Sequence, residues 1–283
     1  MKVYISVDME GISGLVRWPD VVDGIDYPRG RHFLTQDTNA AVEGAFDAGA
    51  TEVVVEENHG VQDLCNLLMD EIDPRCRVIR GAGRPHATTM AGLDAAVGVV
   101  LLVGHHARAG SRPGIMAHTV DYTRFAAVRL GGRPVGEADL FAIRAGELGV
   151  PIGLISGDQV VAGQVAAICP AAVRVVVKEA LSNQAANCIP PARARDLIRG
   201  GARQAVAAAR AGSLVPFTAE ATPYRFEVEM RKDIEGALAD NLDGLDAFSH
   251  DGRTVRFEAT DMDLGFRRVA YLGYAHRAGV TRY

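Results

Sequence analysis

Apolar residues along this chain fall in short, strand-length runs separated by segments with helical spacing. The first run, Val3, Tyr4, Ile5 and Val7, is largely β-branched, which predicts a buried strand at the start of the chain. After a loop marked by Gly and Pro, Arg29 to Gly49 carries a helical pattern with Phe33, Ala40, Ala41, Ala45 and Phe46 on the core side. Thr51 to Val55, Arg77 to Ile79 and Ala95 to Val103 read as further strands, and Ala126 to Leu130 as a strand closed by the turn Gly131-Gly132. A helix is expected from Ala138 to Leu148, capped by Gly149, with buried strands after it at Pro151 to Ile155 and Val173 to Lys178. Strands alternating with helices predict an α/β fold, a mostly parallel sheet with helices on both faces.

The pattern changes after Pro190-Pro191. Ala192 to Ala211 is rich in alanine and arginine at helical spacing, whereas Tyr224 to Met230 and Thr254 to Ala259 alternate apolar and polar residues. Such alternation marks strands exposed on one face. The expected division is an α/β catalytic domain over residues 1–189 and a smaller α+β subdomain over 190–283, the latter serving oligomerisation or roofing the site.

Composition narrows the function. A formal net charge of −5 over 283 residues leaves no basic surface of the kind nucleic acid requires. The longest apolar run, Ala95 to Val103, is far short of a membrane span, so neither nucleic acid nor membrane is expected as a partner. The start of the sequence lacks the charged, apolar and small-residue regions of a secretory signal. Cys65, Cys76, Cys169 and Cys188 form no CxxC pair, which reads as reduced thiols in a cytoplasmic protein.

Residues able to bind metal recur where the predicted strands end. The first strand runs into Asp8 and Glu10, the second into Glu56-Glu57-Asn58-His59, and the strand ending at Val103 into Gly104-His105-His106. Glu137 stands at a predicted helix start and His118 in a loop after Pro113. On an extended backbone residues i and i+2 point the same way, so Asp8 and Glu10 are expected to aim at one point past the strand. Open α/β sheets place their ligands there. By the same geometry His105 and His106 do not both face one point, so at most one is expected to be a ligand. Carboxylates and imidazoles in this number suit a two-zinc site in which one carboxylate bridges the ions, and such a site points to hydrolysis.

Each residue alone has a plainer role. Asp8 could cap a helix, Glu137 could answer a helix dipole, and His59 could be a hydrogen-bonded loop histidine. Asp158, after Ser156-Gly157, is either a substrate contact or a helix N-cap. His32, His86, His250 and His276 have no comparable setting. The sequence holds no GxGxxG or GxxxxGK[ST] loop, no GxSxG elbow and no HExxH helix. The coincidence at successive strand ends carries the metal reading.

In order and spacing, Ser6-Val-Asp-Met-Glu-Gly-Ile-Ser-Gly14, Gly104-His-His-Ala-Arg-Ala109, Gly114-Ile-Met-Ala-His118 and Arg133-Pro-Val-Gly-Glu137 resemble the signature blocks of the zinc-dependent D-aminopeptidase family of bacterial dipeptide-transport operons. The resemblance covers nearly the whole chain. It implies an α/β fold, two Zn²⁺ per chain and a ring-like homo-oligomer, a decamer of stacked pentamers. It also implies removal of the N-terminal residue from short peptides, with D-residues preferred. By the same resemblance Asp8 bridges both zincs, Glu10 and His59 complete one ion, and His106 and Glu137 hold the other. His118 is then catalytic, attacking the scissile carbonyl itself or acting beside a zinc-activated water.

Two departures from the family pattern bear on substrate choice. Glu57-Asn58 precedes His59 where the family often has Asp followed by Ser or Gly, and His105 stands where the best-known member has an aromatic residue. They leave room for a zinc-dependent amidase or deacylase, or an L-specific aminopeptidase, on the same site. A metal-stabilised ring that binds peptides without cleaving them is the non-enzymatic alternative.

Overall fold

Two hydrophobic clusters, one on each face of a parallel sheet, organise the molecule. The computed structural model describes residues 1–274 apart from residue 62, residues 85–89 and residues 220 and 236. His86 and His276 lie outside the described residues.

The first half of the chain forms β1 (Lys2–Val7), α1 (Trp18–Val21), α2 (Tyr27–Asp47), β2 (Glu52–Glu57), β3 (Arg77–Ile79), β4 (Val97–Val103), β5 (Phe125–Leu130), β6 (Arg133–Pro134) and α3 (Glu137–Glu147). There follow β7 (Ile152–Asp158), α4 (Gln159–Ile168), β8 (Val173–Ala180), β9 (Ala186–Cys188) and α5 (Pro191–Arg210). The remainder is β10 (Tyr224–Met230), α6 (Ala237–Asp243), β11 (Ser249–His250), β12 (Thr254–Ala259) and α7 (Met262–Tyr274).

Seven strands make the main sheet in the order β3-β2-β1-β4-β7-β8-β9, all parallel except β9, which runs antiparallel to β8. From β1 the chain winds outward through β2 and β3, then returns to add β4 on the other side. The gap between β1 and β4 is thus a switch point, where doubly wound sheets open a crevice beyond the carboxyl ends of their strands.

The alternation along each strand sorts the core. Val3, Ile5 and Val7 of β1 and Val99, Leu101 and Val103 of β4 pack under α2 and α5, against Ala41, Ala45, Ala202 and Ala205. Tyr4, Val100 and Leu102 point the other way, into a cluster with Phe141 of α3 and Val161 and Val165 of α4. Helices on both faces leave β4 buried on each side, which is why its sequence is continuously apolar. A fully buried Val or Leu there contributes about 1.5–3 kcal/mol.

The second sheet is antiparallel, in the order β11-β12-β10-β5-β6. Its inner side chains, among them Phe125, Val128, Phe226, Val228 and Phe257, join the cluster that contains α3 and α7. Its outer face carries ion pairs such as Arg129–Glu229 at 3.0 Å, hence the alternation seen in YRFEVEM. The boundary expected at residue 190 does not separate the sheets in sequence. β5 and β6 precede it yet pair with β10, and α5 follows it yet packs on α2, β7 and β8. Local patterning shows that a strand is half exposed; it does not show which sheet the strand joins. Among the described residues no helix is long and apolar enough to cross a membrane.

Candidate metal centre

β2, β1 and β4 lie side by side, and Val7 is in register with Glu57 on one side and with Val103 on the other. The chain therefore leaves all three strands at one level, delivering Asp8, Asn58-His59 and Gly104-His105-His106 to the crevice at the switch point. Glu137 arrives by another route than a parallel strand end: the β5–β6 hairpin of the second sheet leads into α3, whose first residue it is. His118 comes from the loop after β4, held by its own N–H donating to the Ala107 carbonyl at 3.1 Å. Asp8, Glu10, His59, His106, His118 and Glu137 are all buried.

The six side chains meet. Nδ1 of His59 lies 3.3 Å from Asp8 Oδ1 and 3.2 Å from Glu10 Oε2. Nε2 of His106 lies 3.3 Å from Asp8 Oδ2 and 3.3 Å from Glu137 Oε1. His118 Nε2 is 4.0 Å from Glu10 Oε1, and its ring stacks on that of His106. Two groups of donor atoms result, Asp8–Glu10–His59 and His106–His118–Glu137. Asp8 serves both, with one oxygen toward each.

Local structure fixes which atoms face inward. His59 donates from Nε2 to the Val21 carbonyl at 2.7 Å, His106 from Nδ1 to the Ala107 carbonyl at 3.0 Å, and His118 from Nδ1 to the Met116 carbonyl at 2.8 Å. Each ring thereby turns its other nitrogen to the centre, as outer hydrogen bonds do for metal-binding histidines. Asp8 Oδ1 accepts from the Met9 N–H at 2.9 Å and Glu137 Oε1 from the Val120 N–H at 2.7 Å.

The donor set fits zinc. Ligand atoms about 2.0 Å from a tetrahedral ion lie ~3.3 Å from one another, which is the spacing found here. Asp8 Oδ2, Glu10 Oε2 and His106 Nε2 are buried with no hydrogen-bond partner, a costly state for polar atoms unless a ligand completes them. Burial alone would lower the pKa of His59, yet Glu10 and Asp8 beside it push it up to about 10. His106 is likewise raised against its burial, by Glu137 and Asp8. Burial works to raise the Asp8 carboxyl, and the imidazoles of His106 and His59 set against it override that and hold the group well below the usual carboxylate range. This cluster of buried acids calls for positive charge, which a divalent cation would supply.

Two details differ from the sequence-based expectation. β1 ends at Val7, so strand alternation does not align Asp8 with Glu10. Instead the chain turns sharply, Gly11 N–H donating to the Gly104 carbonyl at 2.7 Å, and the turn brings the two carboxylates to His59. His105 and His106 both approach Asp8 Oδ2, at 3.8 and 3.3 Å, because β4 stops at Val103 and Gly104 takes a φ of +73°. His105 donates to the Ser6 carbonyl at 3.3 Å and meets Phe141 edge-on.

Asp158 caps α4, accepting from the Val160 and Val161 N–H groups, while its other oxygen accepts from Ile115 N–H in the loop that carries His118. Glu56 and Glu57 lie within β2 and point away from the centre, Glu56 to Ser6 and Arg84, Glu57 to the Leu67 N–H. His32 pairs with Glu71 and His250 with Asp243, at the surface. The four cysteines are unpaired.

A cavity of about 320 Å³ opens onto the centre and is lined by Asp8, Glu10, His59, His118 and Glu137. Its remaining wall was not apparent from sequence. Trp18 and Tyr122 stack at 4.1 Å and both meet the His118 ring edge-to-face, and Ala270 and Gly273 of α7 also line the cavity. No periodicity or motif links positions a hundred residues apart, one at the start of α1 and the other just after His118.

Comparison with known proteins places this geometry. The model of a family described as D-aminopeptidase matches residues 1–270. The chain belongs to the D-aminopeptidase family. Within that family, the D-aminopeptidase of Bacillus subtilis strain 168 is 34% identical over 266 residues, covering 93% of each chain. The solved structure of Zn-dependent D-aminopeptidase DppA from Bacillus subtilis, described as a self-compartmentalizing protease, superposes with a TM-score of 0.86 at 29% identity over the whole of both chains. The α/β fold and the identity as a peptidase of this family rest on these likenesses.

Proposed function

We propose that this chain is a two-zinc aminopeptidase that releases the N-terminal residue of short peptides, with D-amino acids at the first position. The observation that carries the reading is Asp8, whose two oxygens are divided between the donor groups of His59 with Glu10 and His106 with Glu137. A carboxylate shared in this way is the bridging ligand of two-metal hydrolases. Zn²⁺ held there would polarise a peptide carbonyl and lower the pKa of water toward neutrality.

The chain's own residues divide the remaining work. Burial and the neighbouring His106 hold the pKa of His118 below its ordinary value, so at neutral pH the ring keeps a free lone pair. Its Nδ1–H bond to Met116 aims that lone pair, on Nε2, toward the cavity. His118 takes the proton of the attacking water and returns it to the leaving amine, the ordinary work of a general base that becomes a general acid. Trp18 and Tyr122 fix the ring and give an apolar wall for a substrate side chain. A volume of about 320 Å³ is at the small end of ligand pockets and suits a short peptide.

The oligomer proposed is a ring-like decamer in which the C-terminal part of the chain roofs the site; likeness to DppA, described as self-compartmentalizing, supports self-assembly, and light scattering tests the decamer through a mass ten times that of the chain. The activity is tested with D-Ala and L-Ala p-nitroanilides on as-purified, chelated and zinc-restored protein. Zinc-dependent release from the D-substrate is expected. Release from the L-substrate alone would keep the centre and overturn the chirality, and no release from either would overturn the aminopeptidase reading.

A further inference from the structure

Among the described residues Lys178 is the one buried lysine, 1% exposed, and by sequence pattern it marks only the end of a strand. It stands on β8, three places along the sheet from β1. Its ammonium donates to the backbone carbonyls of Glu10 at 2.6 Å and Ile12 at 2.8 Å, and to that of Leu15. Three donors thus meet three acceptors, all in the turn that follows β1. Among the described residues none of its hydrogen-bond partners is a carboxylate. Burying an unpaired cation costs several kcal/mol, so a fold that merely needed to close this turn had cheaper means.

The turn is pinned from its other side by N–H groups. Asp8 N donates to the Val103 carbonyl, Gly11 N to the Gly104 carbonyl and Ser13 N to Asp37. Those bonds fix residues 8, 11 and 13. The Ile12 carbonyl accepts from the Leu15 N–H at 3.3 Å as well as from Lys178, whereas for the carbonyls of Glu10 and Leu15 the lysine is the donor. Glu10 carries one of these carbonyls and also the carboxylate that faces His59, whereas neither His106 nor Glu137 touches the lysine.

We propose that Lys178 is a positioning residue for metal binding: by clamping the carbonyls of Glu10, Ile12 and Leu15 it sets the backbone from which Glu10 presents its carboxylate to the Asp8–Glu10–His59 group. The inference rests on the two-zinc reading above. It separates the two groups, because loss of the clamp releases Glu10 and leaves His106 and Glu137 held by the Ala107 carbonyl and the Val120 N–H.

The test is zinc binding by full-length protein, measured by competition with a chromophoric chelator for the unaltered chain and for Lys178→Met, alongside thermal melts of the chelated proteins. The expected result is two zincs per unaltered chain. In the variant one zinc keeps its affinity and the other weakens about 10–100-fold, as removal of outer-shell partners does. Unchanged affinity for both ions with a lower melting temperature would make Lys178 a structural residue and overturn the inference. Equal weakening of both ions would overturn it too, since that reports general loosening. Fewer than two zincs on the unaltered chain would instead overturn the two-zinc reading, and the inference with it. Should Lys178→Met not melt cooperatively, Lys178→Gln, which keeps a donor without the charge, is judged by the same criteria.

Discussion

The rings of His106 and His118 lie face to face, their centroids 3.9 Å apart and their planes 12° from parallel. One ring is drawn toward the protonated state by Glu137 and Asp8, and the other is held neutral by burial and by its charged neighbour. Stacking therefore ties the ring best placed to hold a metal to the ring best placed to move a proton, without a hydrogen bond between them.

That division of labour predicts the behaviour of His118→Ala. The variant retains two zincs per chain and loses about 10²–10⁴ in kcat, the usual contribution of a general acid–base. Metal analysis beside steady-state kinetics with the D-substrate checks it. If zinc is lost along with turnover, His118 is a ligand of the His106–Glu137 group and not the proton carrier.

Asp8 offers an oxygen to each group, so Asp8→Ala is expected to strip both ions, whereas Glu10→Ala leaves one. Zinc content after gel filtration distinguishes these outcomes. An Asp8→Ala protein that still carried two tightly bound zincs would show that the carboxylate is not shared.

Gly11 sits where no side chain fits. A Cβ there would lie 2.1 Å from the His105 carbonyl oxygen and 2.5 Å from the carbonyl carbon of Gly104, and both neighbours are backbone. Gly11→Ala is expected to cost at least about 1–3 kcal/mol, as overpacking does, and to appear as a lower melting temperature. A melt indistinguishable from that of the unaltered chain would mean that the turn has slack the structure does not show.

Glu56 gives a pH dependence away from the metal centre. Burial pushes its pKa up from 4.5 to about 7, against the pull of Arg84 and Ser6. The folded state thus holds the proton more tightly than the unfolded state. The resulting stability is complete below pH 4.5, declines as pH rises toward 7 and is gone above it. In melts across this range, Glu56→Gln removes that decline, so the variant gains on the unaltered chain between pH 5 and pH 7.5. A constant difference between the two proteins would show that Glu56 titrates normally.

The alternation of Val3-Tyr-Ile-Ser-Val7 and the apolar run to Val103 made the main sheet legible, because a strand buried on both faces has few other ways to be written. The donors at its strand ends were legible for the same reason: register carries Asp8, His59 and His106 to one level whatever the loops do. What escaped was information held between distant segments. That β5 pairs with β10, that α5 returns to the first sheet and that Trp18 meets Tyr122 depend on tertiary partners, and nothing local announces them. Lys178 escaped because a polar residue near the end of a strand looks like ordinary solvation until its three acceptors are seen.

Glu137 reaches the crevice only when the five-stranded sheet has docked against the seven-stranded one, and the inner strands of that smaller sheet run to Ala259. A growing chain that has already made Asp8, Glu10, His59, His106 and His118 has every proton carrier and most of its acids, but no centre. Ala270 and Gly273, which line the cavity, emerge later still. The full donor set is therefore present only in a chain whose second sheet is in place, so the hydrolysis proposed above would report the docking of that sheet as well as the chemistry of the centre.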